Sequence, residues 1–190
     1  MEDRAIVIAE AAQELGSDNF DRAAEILRSR YAFQPVNQIS GGISRSTAVR
    51  VFRRDGFIDR YSGQRVVFPA ALRAISVLLP EEFPHHPNWR MDACHFAYYE
   101  LCAVVDHVKP RARGGTNEMD NLLTTSTLRN SAKANFTLQE LGWRLLDDSD
   151  LDKWDGLMEW FFKITERMPE LLEVSDIAGW AGAAREVLRG

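Results

Sequence analysis

The stretch that decides the reading is Val105-Asp106-His107-Val108-Lys109-Pro110, followed by Gly114-Gly115, Asn121-Leu122 and Arg129-Asn130-Ser131-Ala132-Lys133-Ala134-Asn135. Its flanks predict its structure. Ala97–Val108 is apolar with β-branched residues and reads as a strand. Pro110 and the paired glycines predict a loop over 109–120. Leu122–Thr125 reads as a second, short strand. Thr127 to about Asn135 suits a short helix capped by Ser126 or Thr127, with Asn135 at its C-terminal end. Strand, loop, strand and helix in that order bring Asp106, His107, Asn121 and Asn130 to candidate positions around one site.

Those residue types suit phosphodiester hydrolysis. The reaction needs a base to activate water and a divalent metal to stabilise charge on the phosphate and the leaving oxygen. Hard ions such as Mg²⁺ prefer oxygen ligands. Asp106 offers a carboxylate, Asn130 an amide oxygen and His107 an imidazole, a base suited to neutral pH. Neighbours on a strand face opposite ways, so Asp106 and His107 serve one site only if the strand ends or bends there. Asn121, where the loop rejoins the second strand, is placed to hold the imidazole in one tautomer; its rival role is that of a turn residue.

The ordered pattern resembles the HNH nuclease family, whose motif runs Asp-His-x-x-Pro, Gly-Gly, Asn-Leu, then Cys-x-x-Cys-Asn or Cys-x-x-Cys-His, then Lys. The close match runs from Asp106 to Asn135, and a looser similarity to restriction-type HNH proteins extends from about Arg53 to Trp143. The resemblance implies two antiparallel strands, a metal ion and a helix. It makes His107 the general base, Asn121 its orienting residue, and Asp106 and Asn130 the ligands of Mg²⁺, with Mn²⁺ as a substitute. Many members also hold a structural zinc with two Cys-x-x-Cys pairs. Here Asp59, Ser62, Ser126 and Arg129 stand at those four positions. Without thiolates no tetrahedral sulfur site forms, so no structural zinc is expected. A polar cluster is expected in its place, with Asp59 paired to Arg129.

Other charged residues near the motif are candidates for phosphate contact. These are Lys109, Arg111, Arg113 and Lys133, the last of which reads equally well as a solvated helix lysine. Arg45, Arg50, Arg53 and Arg54 cluster on one predicted helix, facing either DNA or solvent. His85, His86 and His95 read first as structural, with approach to the metal site as the alternative for His95, twelve residues before His107.

The composition of the whole chain is ordinary for a soluble globular protein. It has 190 residues, 45% hydrophobic and 27% charged, and a net charge of −5. Charge is uneven: residues 1–44 carry −3, 45–138 carry +4 and 139–190 carry −6. A locally basic middle is compatible with a nucleic-acid partner despite the acidic total. No apolar run is long enough for a membrane span and no signal-peptide pattern opens the chain, so no membrane partner and a cytoplasmic location are expected. Cys94 and Cys102 form no Cys-x-x-Cys pair.

Helices are predicted over 1–15, from Phe20 to about Arg30 with Asp18 as cap, and from Ser44 or Ser46 to about Arg54. Phe57–Tyr61 and Arg65–Phe68 read as a hairpin, 69–79 as a helix starting near Pro69, and the Pro-rich stretch after Pro80 as an ordered loop. An aromatic helical stripe of Leu151, Trp154, Leu157, Met158, Phe161 and Phe162 is suited to burial internally or across a homodimer. A last helix spans Ser175–Leu188. The expectation is an α+β protein packed as one compact unit: an N-terminal helical region (1–52), a ββα-metal HNH nuclease domain (53–143) and a C-terminal helical region (144–190). The expected function is metal-dependent DNA endonuclease, and the resemblance adds restriction or defence against foreign DNA. The alternatives are a nucleic-acid-binding or interaction module without cleavage and an RNA-directed nuclease.

Overall fold

Local capping chemistry explains four of the helix starts among the described residues. In a computed structural model, which describes residues 3–33, 42–147 and 154–190, the chain divides into two compact units, 1–38 and 39–190. The first holds α1 (Arg4–Gly16) and α2 (Phe20–Arg30). Asp3 caps α1 by accepting the Ala5 N–H at 2.9 Å. Val7 and Ala11 of α1 pack with Ala23 and Ile26 of α2 as a small separate core. Asp18 does not cap α2. The tight return after α1, with Asn19 N donating to Glu14 O, puts Asp18 in the left-handed region and makes Asn19 the cap position.

The second unit opens with α3 (Arg45–Arg54), where Ser44 accepts the Thr47 N–H at 3.0 Å. The anticipated boundary near residue 52 is not where the chain divides. Val49 and Phe52 of α3 lie fully inside a core shared with the last helix, α9 (Ser175–Arg189). The expected hairpin is reduced to one bridge, Ile58 with Arg65, closed by Asp59 N to Gln64 O and Val66 N to Phe57 O, both 2.9 Å. Val67 turns away to bridge Cys102 instead.

α4 (Pro69–Leu78) begins on its proline as expected. The long strand predicted over 97–108 is a correction. Residues Ala97–Glu100 form one helical turn, α5, and β1 spans only Ala103–His107. Tyr98 decides this: its ring packs against Phe83, His85 and Trp89, and its hydroxyl donates to Leu72 O at 3.1 Å. Packing of that kind overrides strand propensity.

β1 pairs antiparallel with β2 (Leu122–Ser126), His107 opposite Leu122 and Ala103 opposite Ser126. This is the only sheet among the described residues. α6 (Thr127–Lys133) follows without a gap, its N-cap Ser126 accepting the Arg129 N–H at 3.3 Å. Its C-cap is Ala134, at φ 47, and not Asn135, which is exposed. α7 (Leu138–Leu141) starts with a capping box between Thr137 and Glu140.

α8 (Met158–Arg167) and α9 (Ser175–Arg189) complete the unit. Phe68 sits at the centre of the core, its ring 5.3 Å from Phe161 and 5.7 Å from Trp180. Of the aromatic stripe, Met158 and Phe161 are buried within this chain, and Trp154 Nε1 donates to Phe57 O at 3.0 Å. Leu151 lies outside the described residues. The architecture is α+β, mainly helical with a two-stranded antiparallel sheet. No helix among the described residues is long and apolar enough to cross a membrane.

Candidate active site

Strand alternation sets the first constraint. Asp106 points inward at 6% exposure, while His107, the last residue of β1, is half-buried. The strand ends there, as a shared site requires. Asp106 Oδ1 accepts the His107 N–H at 2.7 Å, which turns the carboxylate along the chain toward its neighbour. Oδ2 accepts the Tyr61 hydroxyl at 2.6 Å and lies 3.0 Å from Lys133 Nζ. Burial, and then the Asp106 charge beside it, push the Tyr61 hydroxyl well above the usual phenol range. Tyr61 is thus a fixed donor.

Lys133 is a correction to the phosphate-contact expectation. Its side chain is fully buried, and Nζ also donates to His107 O at 2.7 Å. The ammonium therefore holds the end of α6 against the end of β1 and is closed to a surface ligand. Asn130 lies one helical turn before it on α6, so the two side chains share a face. The Asn130 amide makes no hydrogen bond among the described residues.

His107 Nε2 lies 2.9 Å from Asn117 Oδ1. An amide oxygen only accepts, so this contact requires a proton on Nε2 and leaves Nδ1 as the lone-pair nitrogen. Asn121, expected in this role, does something else. Its Oδ1 accepts the Lys109 N–H at 2.8 Å, and its Nδ2 donates to Thr116 O at 2.8 Å and Lys109 O at 3.1 Å. It ties both ends of the loop together. Gly115 makes that closure feasible: a Cβ there would lie 1.8 Å from Lys109 O and 2.9 Å from Asn121 Nδ2.

The four positions expected to replace a zinc knuckle come together around Asp59, which is fully buried. Its Oδ1 accepts the Tyr61 and Ser62 N–H groups at 2.8 and 3.2 Å. Its Oδ2 accepts Thr125 Oγ1 at 2.9 Å and Ser126 N at 3.2 Å, with Arg129 Nε at 3.5 Å. Asp55 makes a second buried tie that the sequence did not reveal. It accepts the Thr124 N–H at 2.7 Å and pairs with Arg54 at 2.8 Å and Arg60 at 3.2 Å.

The remaining cations lie on the loop and on α3. Lys109 is exposed and Arg111 half-buried beside the loop, while Arg113 reaches Glu140 at 3.5 Å. The α3 arginines mostly serve the fold: Arg45 pairs with Asp176 at 2.7 Å, Arg53 Nη1 donates to Val187 O at 3.5 Å, and Arg54 donates to Met119 O and Leu122 O, both 2.6 Å. His95 stacks on Phe83 at 4.3 Å, and His86 Nδ1 accepts the Asn88 N–H at 3.1 Å.

Among the described residues no group of three or more His, Cys, Asp or Glu side chains forms a metal cluster. The donors that fit a divalent ion are of another kind. Asp106 Oδ1 keeps acceptor capacity beyond its one backbone bond, and Asn130 supplies a neutral oxygen. A Mg²⁺-type site needs few protein oxygens because water and phosphate complete it. Asn117, Tyr61 and Asp55 were missed by sequence reasoning. Only Asn117 carried a faint signal, an asparagine between the glycine pair and Asn121. No protein-family model, curated protein or solved structure matches this chain.

Proposed function

We propose that this protein is a metal-dependent endonuclease of the HNH type that hydrolyses DNA phosphodiester bonds. The observation that carries the reading is the pairing of His107 with Asn117 at the end of β1, beside Asp106 and against the helix that bears Asn130. Hydrolytic bases need a fixed tautomer with one free nitrogen. His107 Nδ1 accepts a proton from the attacking water, and Asn117 holds the ring while the charge develops. Asp106 Oδ1 and the Asn130 amide oxygen would hold a Mg²⁺-like ion. When bound, that ion supplies Lewis-acid stabilisation of the phosphate and leaving oxygens. Tyr61 and Lys133 hold the Asp106 carboxylate in its orientation. Lys109 and Arg111 contact the substrate backbone.

The test is plasmid cleavage with Mg²⁺ or Mn²⁺, against EDTA, comparing wild type with His107→Ala. The variant is expected to lose about 10²–10⁴ of the rate, the usual worth of a positioned base. Equal cleavage by both would remove His107 from the chemistry.

One observation favours a second reading. Lys133 already neutralises Asp106 from 3.0 Å, as suits a nucleic-acid-binding module without cleavage. DNA binding with no turnover in any divalent metal would select that reading.

A further inference from the structure

A pocket of about 300 Å³ opens away from the loop end of β1, between the start of α3, α4, the Pro-rich loop and α9. Arg45, Arg73, His85, Trp89, Asp176 and Trp180 line it. Its size sits at the lower end of small-molecule sites.

Two features make it a built site. First, Arg73 is half-buried and makes no ion pair or hydrogen bond among the described residues. A partly desolvated guanidinium without a counter-charge is unfavourable until an anion arrives. Second, its neighbours are held in place. Arg45 is pinned to Asp176 at 2.7 Å and lies over the Trp180 ring at 5.5 Å. Gly179 makes room for it, since a Cβ there would stand 2.2 Å from Arg45 Nη1. Arg45 and Asp176 cancel, so Arg73 is the uncompensated charge of the pocket. Burial, and then Arg73, hold the His85 imidazole below its ordinary range, so it presents a neutral aromatic face near pH 7.

One charge with a planar fork, set among aromatic rings, selects a ligand that is anionic at one end and flat at the other. Guanidinium groups bind phosphate in bidentate fashion, and indole rings stack on bases. We propose that this pocket binds a nucleoside monophosphate unit, with the phosphate on Arg73 and the base between Trp89 and the Arg45–Trp180 pair. The unit comes either as a free nucleotide or as one unstacked nucleotide of a DNA strand. Val104 also lines the pocket, two residues before Asp106 on β1 and so about 7 Å along the strand. The proposal does not depend on cleavage.

The experiment is titration of the full chain in EDTA, followed by tryptophan fluorescence and calorimetry. The probes are dAMP, deoxyadenosine, inorganic phosphate and a single-stranded oligodeoxynucleotide. Saturable dAMP binding is expected, weakened about tenfold or more by Arg73→Gln, the worth of a charge-assisted hydrogen bond. Arg73→Lys is expected to weaken it less, and serves in place of Arg73→Gln if circular dichroism shows that variant unfolded. An oligonucleotide that displaces dAMP identifies a strand nucleotide as the source. One that does not displace it identifies the free nucleotide. The proposal is overturned if dAMP does not saturate, if Arg73→Gln and Arg73→Lys both bind it like wild type, or if phosphate alone binds as tightly as dAMP.

Discussion

Asp59 and Arg129 meet across the second unit, carboxylate Oδ2 to guanidinium Nε at 3.5 Å. The pair joins the bridge segment after α3 to the junction of β2 and α6. It is unequal: Asp59 is fully buried with four further donors on it, whereas the Arg129 side chain is 37% exposed and lies over the Trp143 ring. The carboxylate therefore organises the cluster and the arginine decorates it.

Asp59→Ala is expected to cost about 3–5 kcal/mol, because it strands buried donors. Arg129→Ala is expected to cost about 1 kcal/mol or less, since its charge is screened by solvent. Urea unfolding of both variants checks this, and equal losses would refute the unequal arrangement. Metal analysis of the purified protein is expected to find no stoichiometric zinc.

Lys133 and Asp106 make the complementary case, a buried pair. Lys133→Met leaves an uncompensated carboxylate and is expected to cost about 3–5 kcal/mol. Adding Asp106→Asn removes that charge, so the double variant should be more stable than Lys133→Met alone. A double-mutant cycle by chemical unfolding measures the coupling. Additive losses would mean that the two groups do not interact.

Asn117 and Asn121 should separate cleanly. Nitrogen-15 NMR of His107 is expected to show the Nε2–H tautomer in the wild type and a mixture in Asn117→Ala. Asn121→Ala should leave the tautomer unchanged and lower stability by about 1–3 kcal/mol through lost loop bonds. Cleavage by Asn117→Ala should fall about 10–100-fold, the usual cost of losing an orienting partner, with KM little changed. An unaltered tautomer in Asn117→Ala would dismiss its positioning role whether or not the protein cleaves DNA.

Alkaline pH should weaken the fold. Burial pushes the Cys102 thiol up to about 12 and the Tyr98 hydroxyl up to about 12, and Tyr61 is raised as well. The native state thus keeps protons that the unfolded chain releases from about 9.0 for a thiol and 10.0 for a phenol. Where the unfolded state binds fewer protons, stability falls as pH rises. Unfolding free energy measured from pH 8 to 12 should decline above pH 9, and Cys102→Ala should flatten the first part of the decline.

The parts of this fold that were legible in the sequence are those settled within one turn of chain. Ser44 and Ser126, each one of two cap candidates in the sequence, mark the starts of their helices because a cap bonds a backbone N–H only a few residues away. The order of Asp106, His107, the glycine pair and the strand after Asn121 likewise marks a strand, a loop and a return. The Asp59–Arg129 contact was legible only through the resemblance that aligned their positions. Tertiary structure alone decided the rest. Lys133 looks like any helix lysine until β1 presents Asp106 and the His107 carbonyl to it. Asn117, not Asn121, reaches the imidazole because the closed loop folds it back, while Asn121 is engaged by the loop backbone. Tyr98 makes the strand start late because the aromatic cluster of the preceding loop and the Leu72 carbonyl of α4 hold it in a helical turn. Burial and partner choice depend on surfaces brought together from far along the chain, and a local pattern does not encode them.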